Sequence, residues 1–144
     1  MRVIVTGSRG WKDWDIIRGA LLEFQREAAL AGEELVVVHG HNPKGADHMA
    51  DAICHTEKIE KIRVRANWQR YKAGAGPRRN AEMLAEYGPI DYTLAFRAGG
   101  KSSGTDDMIS KSLRADVPVY LYREGSFVGT RVTEQRKTYD AAHA

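Results

Sequence analysis

Short continuous apolar runs alternate along the chain with stretches whose apolar residues recur at helical spacing. Arg2 to Thr6 is β-branched and lacks polar alternation, the mark of a strand buried on both faces. Gly7-Ser8-Arg9-Gly10 ends it as a loop. Asp13 is placed to cap the helix that follows, in which Ile17, Ala20, Leu21, Phe24 and Ala28 share a face and which Gly32 closes. Leu35 to Val38 reads as a second buried strand. It feeds the loop His39 to Asp47 and then a helix with Ala46, Met49, Ala50 and Ile53 on one side. Ile59 to Val64 is the third strand, and Lys61, Arg63 and Arg65 place it at an edge with one face partly wet.

Asn67 to Gly76 is the least regular internal stretch, with Trp68 and Tyr71 set among Arg70 and Lys72. Gly76-Pro77 opens a helix that brings Arg79, Met83 and Tyr87 on or near one face, and Gly88-Pro89 stops it. Tyr92 to Phe96 is strand four, a helical pattern runs from Met108 through Leu113, and Val117 to Leu121 is strand five. Strands alternating with helices in this way predict an α/β, Rossmann-like doubly wound sheet, mainly parallel, of about five strands in the order 3-2-1-4-5. Patterning decays from Tyr122 on. Residues 1–122 are therefore expected to form the domain and 123–144 a C-terminal extension, with a hairpin around Glu124-Gly125 and a mobile tail from Thr133 to Ala144.

A chain of 144 residues with 42% apolar and 28% charged residues is long enough for one globular domain and too apolar for wholesale disorder. The net charge of +3 is too small to argue for nucleic-acid binding by itself. A single cysteine, Cys54, excludes an intrachain disulfide and suits a reducing compartment. With no signal-peptide pattern and no apolar run of membrane-spanning length, the expectation is a cytoplasmic protein.

Ligands of doubly wound sheets sit at the carboxyl ends of the strands, beside the point where strand order reverses. Three polar, glycine-containing loops are expected there: Gly7 to Gly10, His39 to Asp47, and Ala98 to Thr105. Together they offer backbone N–H groups, the hydroxyls of Ser8, Ser102, Ser103 and Thr105, and the charges of Arg9, Lys44 and Lys101 to an anion. Taken alone, Gly99 to Thr105 is a glycine-rich turn with Ser103 or Thr105 as helix cap. Three such loops at one edge point instead to a phosphate-binding crevice. Gly7-Ser8-Arg9-Gly10 lacks the third glycine of the dinucleotide fingerprint, and no P-loop signature occurs, so a common NAD dehydrogenase and a P-loop NTPase are disfavoured.

Val5-Thr6-Gly7-Ser8-Arg9-Gly10, His39-Gly40 with Gly45-Ala46-Asp47, Gly76-Pro77-Arg78-Arg79-Asn80-Ala81-Glu82-Met83, and Gly99-Gly100 with Gly104-Thr105 follow one another in order. Together they resemble the SLOG superfamily of Rossmann-like nucleotide-binding proteins, and most of all its small YspA/YpsA-related branch, which has many bacterial and phage members. The resemblance covers roughly residues 2 to 121. It implies a nucleotide or phosphoribosyl ligand held by Gly7, Ser8, Arg9, Gly40, Lys44, Gly45, Asp47, Asn80, Gly99, Gly100, Ser102, Ser103, Gly104 and Thr105. It also implies, by analogy, a homo-oligomer. No cofactor is expected.

Within that superfamily, the LOG-type phosphoribohydrolases cleave a nucleoside 5′-monophosphate to free base and ribose 5-phosphate. Their Arg-Lys-Ala-x-Met element is similar to Arg79-Asn80-Ala81-Glu82-Met83, and their loop reads Pro-Gly-Gly-x-Gly-Thr-x-Glu-Glu. Here Ala98 replaces the proline, three residues instead of one separate Gly100 from Gly104, and the acids are aspartates. The match implies Arg79 as catalytic arginine and Asp107 as a shortened acid. Glycosidic cleavage needs a carboxylate near the ribose and a positioned water. Misplacing such a group by about 1 Å costs on the order of a hundredfold. Binding is therefore better supported than hydrolysis.

Other tempting residues have plainer readings. His39, His41, Asp47 and His48 are suitable ligand types but lack the compact spacing of a binuclear hydrolase, and no metal is expected. Cys54 beside Ile53 reads as a buried structural thiol. Arg78 reads as a surface charge. Trp68 and Tyr71 suit a core or oligomer contact and stacking on a base equally. Trp11 and Trp14 are expected over the first loop or the start of the first helix. The leading expectation is a nucleotide-binding domain with possible N-glycosidase activity. A non-catalytic sensor or sequestering protein for a nucleotide signal, in a host–phage setting, is the alternative. Nucleic-acid binding through Arg63, Arg65, Arg70, Lys72, Arg78 and Arg79 comes third and predicts steep salt dependence.

Overall fold

The computed structural model describes residues 1–133. The expected tail, except for Thr133, lies outside these residues. The chain runs β1 (Arg2–Gly7), α1 (Trp14–Leu30), β2 (Val36–His39), α2 (Ala46–Glu57), β3 (Glu60–Arg63), α3 (Trp68–Tyr71), a 3-10 turn (Lys72–Gly74), α4 (Ala75–Glu86), β4 (Tyr92–Phe96), α5 (Ser103–Arg114), β5 (Val119–Tyr122) and β6 (Thr130–Val132). The strands form one sheet in the order β3-β2-β1-β4-β5-β6. The first five are parallel, as the alternating pattern predicts, and the order reverses between β1 and β4.

The sheet is one strand wider than predicted. β6 pairs antiparallel with β5, Val119 opposite Val132, through a turn that contains Gly125 at φ 83°. That is the hairpin expected around Glu124-Gly125. Three residues are too few to carry a recognisable alternation, which is why the strand is invisible in the sequence.

β1 shows how the sheet is buried on both faces. Val3 and Val5 pack with Val37, Leu94 and Phe96 against α1 and α2, whereas Ile4 packs with Val38, Met83 and Met108 against α4 and α5. All three β1 side chains are fully buried. Full burial of one such side chain contributes about 1.5–3 kcal/mol, so the β-branched run fixes the central strand. The Asp13 carboxylate accepts the Ile16 N–H and starts α1. Gly32 at φ 75° follows its C-cap, and the Gly32 and Glu33 N–H groups donate to the Ala29 and Ala28 carbonyls.

Two segments depart from expectation. α5 starts at Ser103 with Ser102 at its cap position, one residue before the earlier of the two expected caps, although its first turn (Ser103, Gly104, Thr105, Asp106) carries no apolar side chain for periodicity to register. The stretch after β3 is also more ordered than predicted: the Asn67 side chain accepts the Arg70 N–H and caps the single turn of α3. Among the described residues no helix is long and apolar enough to cross a membrane.

Candidate functional site

The loops after β1, β2 and β4 meet at Ser8. Its N–H donates to the Phe96 carbonyl (2.9 Å), and its carbonyl accepts the Ala46 N–H (3.3 Å). Its hydroxyl accepts the Ala98 N–H at 3.0 Å and lies 2.9 Å from the Ser102 hydroxyl. Ser102 in turn donates to Thr105 (2.9 Å), so the Ser8 proton must point to Ser102. Ala98, Ser8, Ser102 and Thr105 thus form one directional chain, and the three hydroxyls bind one another.

The glycines at this junction allow close packing. A Cβ on Gly7 would strike the Ala46 side chain and the Phe96 carbonyl. Gly45, at φ 73°, lies against the backbone of Ser8 and Arg9, with no room for a side chain. Gly99, Gly100, Ser103 and Gly104 are exposed, and Gly100 at φ 86° turns the glycine loop.

A cavity of about 820 Å³ opens on the β2 and β3 side of this junction. Arg9 and Gly10 reach it from the loop after β1, Gly40 to Lys44 from the loop after β2, Arg65, Ala66 and Trp68 from the segment after β3, and Arg79 from α4. Four of these side chains are cationic and none is acidic. The glycine loop after β4 does not line it. The three expected loops therefore converge, but the open space is bounded by a fourth segment, residues 65–68, instead of the glycine loop.

Arg79 is the best-anchored cation there. Its Nη1 donates to the Gly40 carbonyl (2.7 Å) and its Nε to the Asn80 side-chain oxygen (3.1 Å), while Nη2 has no hydrogen-bond partner among the described residues. Partial burial lowers its pKa from the ordinary arginine value; Asp47 opposes that shift and Arg9 adds to it. Asp47 and Asp107 attract Arg79 and Arg9 repels it, but neither acid lines the cavity, so the open side of the guanidinium faces cations and no carboxylate.

Asn80, buried between α4 and α5, bridges the two residues matched to catalytic roles. Its Nδ2 donates to Asp107 (3.0 Å) and to the Gly104 carbonyl (3.2 Å), while its oxygen holds Arg79. Asp107 is bound as well by Lys111, at 2.6 and 2.7 Å, and does not line the cavity. Asp47 is buried, and its carboxylate accepts the Asn42 N–H (3.2 Å), which shapes the loop after β2. Burial pushes its pKa up to about 6, against the hydrogen bond from Asn42 and the attraction of Arg79.

The histidines also have assigned partners. His39 is fully buried; its Nδ1 accepts the His41 N–H (3.0 Å), so its Nε2 carries the proton and donates to Asp51 (2.9 Å). Asp51 also takes Lys61 and Arg63, and the Arg63 guanidinium beside it holds its carboxyl well below the usual range. His41 accepts from Arg65 Nε at 2.9 Å. His48 lies edge-on to Trp14. Cys54 is buried, which pushes its thiol up to about 12. Trp11 is buried against Phe96, and Trp14 is partly exposed at the start of α1.

Sequence reasoning missed His41 and Arg65 as cavity residues, as well as the buried Arg97–Asp106 ion pair (2.8 and 3.0 Å) beneath the glycine loop. Residues 65–68 contain no glycine; Arg65 and Trp68 were candidates for nucleic-acid contact and for base stacking, and their position just after a strand was the signal that could have placed them at the strand-end crevice.

The family model for YAcAr, the YspA, cpYpsA-related SLOG family, matches residues 1–71. The Gene 61 protein of Mycobacterium phage D29 is 37% identical over 123 residues, an alignment that covers 82% of this chain and 93% of the phage protein. No solved structure matches the chain significantly. Helices on both faces of a mainly parallel sheet, with polar loops gathered at its carboxyl edge, agree with these matches. The chain belongs to the YspA, cpYpsA-related SLOG family.

Proposed function

We propose that the chain binds a nucleotide or phosphoribosyl anion in the cavity bounded by the loops after β1, β2 and β3. The observation that carries this reading is the lining: Arg9, Lys44, Arg65 and Arg79 face a space of about 820 Å³ with no carboxylate among them. That volume suits a small-molecule ligand. Arg79, anchored through Gly40 and Asn80, leaves Nη2 for the phosphate, and Arg9 and Lys44 add charge from the two neighbouring loops. Gly7, Ser8, Gly45, Asp47, Ser102 and Thr105 serve the ligand indirectly, by fixing the loops that carry these cations. Gly99, Gly100, Ser103 and Gly104 lie apart from the cavity, as the outer part of a pinned loop.

Binding without turnover is the favoured form of this reading, which makes the protein a sensor or sequestering domain. Asp107 would have to activate water, yet it is held by Lys111 and Asn80 outside the cavity. N-glycosidic hydrolysis is the second reading, favoured by the Asn80 bridge that couples Asp107 to Arg79. The experiment is to incubate the protein with a panel of nucleoside 5′-monophosphates, measure binding by calorimetry, and assay free base and ribose 5-phosphate. Binding without release supports the sensor form. Release that is abolished in Asp107→Asn supports the hydrolase. Absence of binding across the panel overturns both. A homo-oligomer is also proposed, by analogy, and sedimentation velocity tests it.

A further inference from the structure

We infer that Trp68 is the platform on which the ligand's base lies, so that the cavity selects nucleotides over sugar phosphates. This rests on the reading of the cavity as a phosphate-ligand site and adds the chemistry of its aromatic lining. Trp68 is 51% exposed although it is among the most apolar and bulky side chains of the chain, and it lines the cavity. The other aromatic candidate in this segment is already covered: the Arg78 guanidinium lies 4.2 Å from the Tyr71 ring centroid, and that of Arg70 lies 5.1 Å away. Among the described residues Trp68 has no ring or cation on its face, whereas Trp11 and Trp14 each have an aromatic neighbour. Tyr71 is thus engaged, and Trp68 offers a face.

The indole is also seated. Its Cη2 lies 3.6 Å from where a Cβ on Gly76 would stand, so the bare glycine leaves room for the ring, and the Asn67 cap fixes the turn that carries it. A ring held in place loses little freedom when a ligand stacks on it. Arg65, three residues earlier, is held by its Nε on His41 Nδ1, which keeps a further guanidinium on the lining of the same cavity. Cations at Arg9, Lys44, Arg65 and Arg79 together with a bare aromatic face in the same cavity match a ligand that carries both an anionic group and a flat aromatic one. That is a nucleotide. Ribose 5-phosphate supplies only the anionic group.

Calorimetric titration with adenosine, guanosine, cytidine and uridine 5′-monophosphates and with ribose 5-phosphate tests this. Stacking of one base on an aromatic side chain is worth on the order of tenfold in affinity or more. At least one nucleotide should therefore bind about tenfold tighter than ribose 5-phosphate. Trp68→Ala should bring that nucleotide down to the sugar-phosphate level and leave ribose 5-phosphate unchanged, while Trp68→Phe retains part of the preference. Equal affinity for nucleotide and ribose 5-phosphate overturns the platform but leaves the phosphate site standing. So does an equal loss for both in Trp68→Ala, which would mark Trp68 as a structural or subunit contact. If neither class binds, the phosphate site itself fails and the platform with it.

Discussion

The Arg97 guanidinium, buried at the end of β4, lies against the Asp106 carboxylate in the first turn of α5, with Nε at 2.8 Å and Nη2 at 3.0 Å. The pair closes the base of the glycine loop, and Nη1 adds a bond to the Ala98 carbonyl at 3.0 Å. Asp106 also sits where an anion favours a helix N-terminus. Arg97 is buried and Asp106 partly so, and breaking a buried pair costs up to about 3–5 kcal/mol. Asp106→Ala and Arg97→Ala should each lower the urea midpoint by a large part of the total stability, whereas substitution of exposed Lys101 should not. A small effect in both variants would show that the pair is dispensable.

Two glycines of the loop after β2 separate binding from folding. The atoms nearest a Cβ at Gly40 all belong to the guanidinium end of the Arg79 side chain and none to backbone, so Gly40→Ala should cost little stability while pushing the guanidinium off the Gly40 carbonyl. A Cβ at Gly45 would meet the backbone of Ser8 and Arg9 at positive φ, a conformation that costs a non-glycine residue about 1–3 kcal/mol before any clash is counted. Gly40→Ala is expected to weaken nucleotide binding about tenfold or more with a near-native melting temperature; the loss is of the order expected for one charge-assisted hydrogen bond. Gly45→Ala is expected to unfold earlier. Thermal melts and calorimetry of the two variants check both, and unchanged binding in Gly40→Ala would remove Arg79 from the site.

Asp47 gives the fold a distinctive pH dependence. Its pKa rises from 3.8 to about 6 on folding, chiefly through burial. A raised carboxyl stabilises the fold while protonated, and that contribution is lost as pH climbs from below 4 through about 6. The loss is on the order of 3 kcal/mol if the shift is taken whole. Asp47→Asn removes this titration and keeps an acceptor for the Asn42 N–H. The stability difference, variant minus wild type, should therefore grow in the variant's favour between about pH 4 and about pH 7.5. Urea unfolding at the two pH values measures it, and a constant difference would refute the account. Asp51 and His39 have the opposite sign. Both pKa values are lowered on folding, so they account for stability lost on acidification.

What the sequence could and could not show follows from how each feature is encoded. β1 announces itself because a strand buried on both faces has no polar positions, and the order of the first five strands follows from the alternation with helices. Arg79 was identifiable because it sits on a helix that Gly76-Pro77 aims toward the strand ends, and it does line the cavity. The location of the open space was not legible. Ser8, Ser102 and Thr105 have the composition of a phosphate cradle, but whether three hydroxyls face a ligand or one another depends on side-chain rotation. The Arg97–Asp106 pair was not legible either, because its partners stand nine residues apart on either side of a loop whose path the sequence does not fix. Trp68 lies in a stretch with no period at all, and only the arginine above Tyr71 distinguishes it from its neighbour.

The hydroxyl chain from Ser8 explains why the glycine loop is shaped before any ligand arrives. With the Ser8 hydroxyl gone, the Ala98 N–H loses its acceptor and Ser102 loses a donor, in a place where Ser8 is 7% exposed. A buried donor left without a partner costs about 1–3 kcal/mol. The Arg97–Asp106 pair would still hold the base of the loop, so the loss should stay local. Ser8→Ala is expected to lower stability by that amount and to speed amide exchange at residues 98–105, with β1 and β2 protected as before. Ser8→Thr keeps the hydroxyl, so the methyl alone distinguishes it from the wild type, and exchange in the loop should return toward the wild-type rate. Fast exchange confined to 98–105 in the alanine variant, reversed by threonine, would identify the hydroxyl chain as what orders the loop. Uniform loss of protection across the sheet would instead assign Ser8 to the packing of β1 against β4.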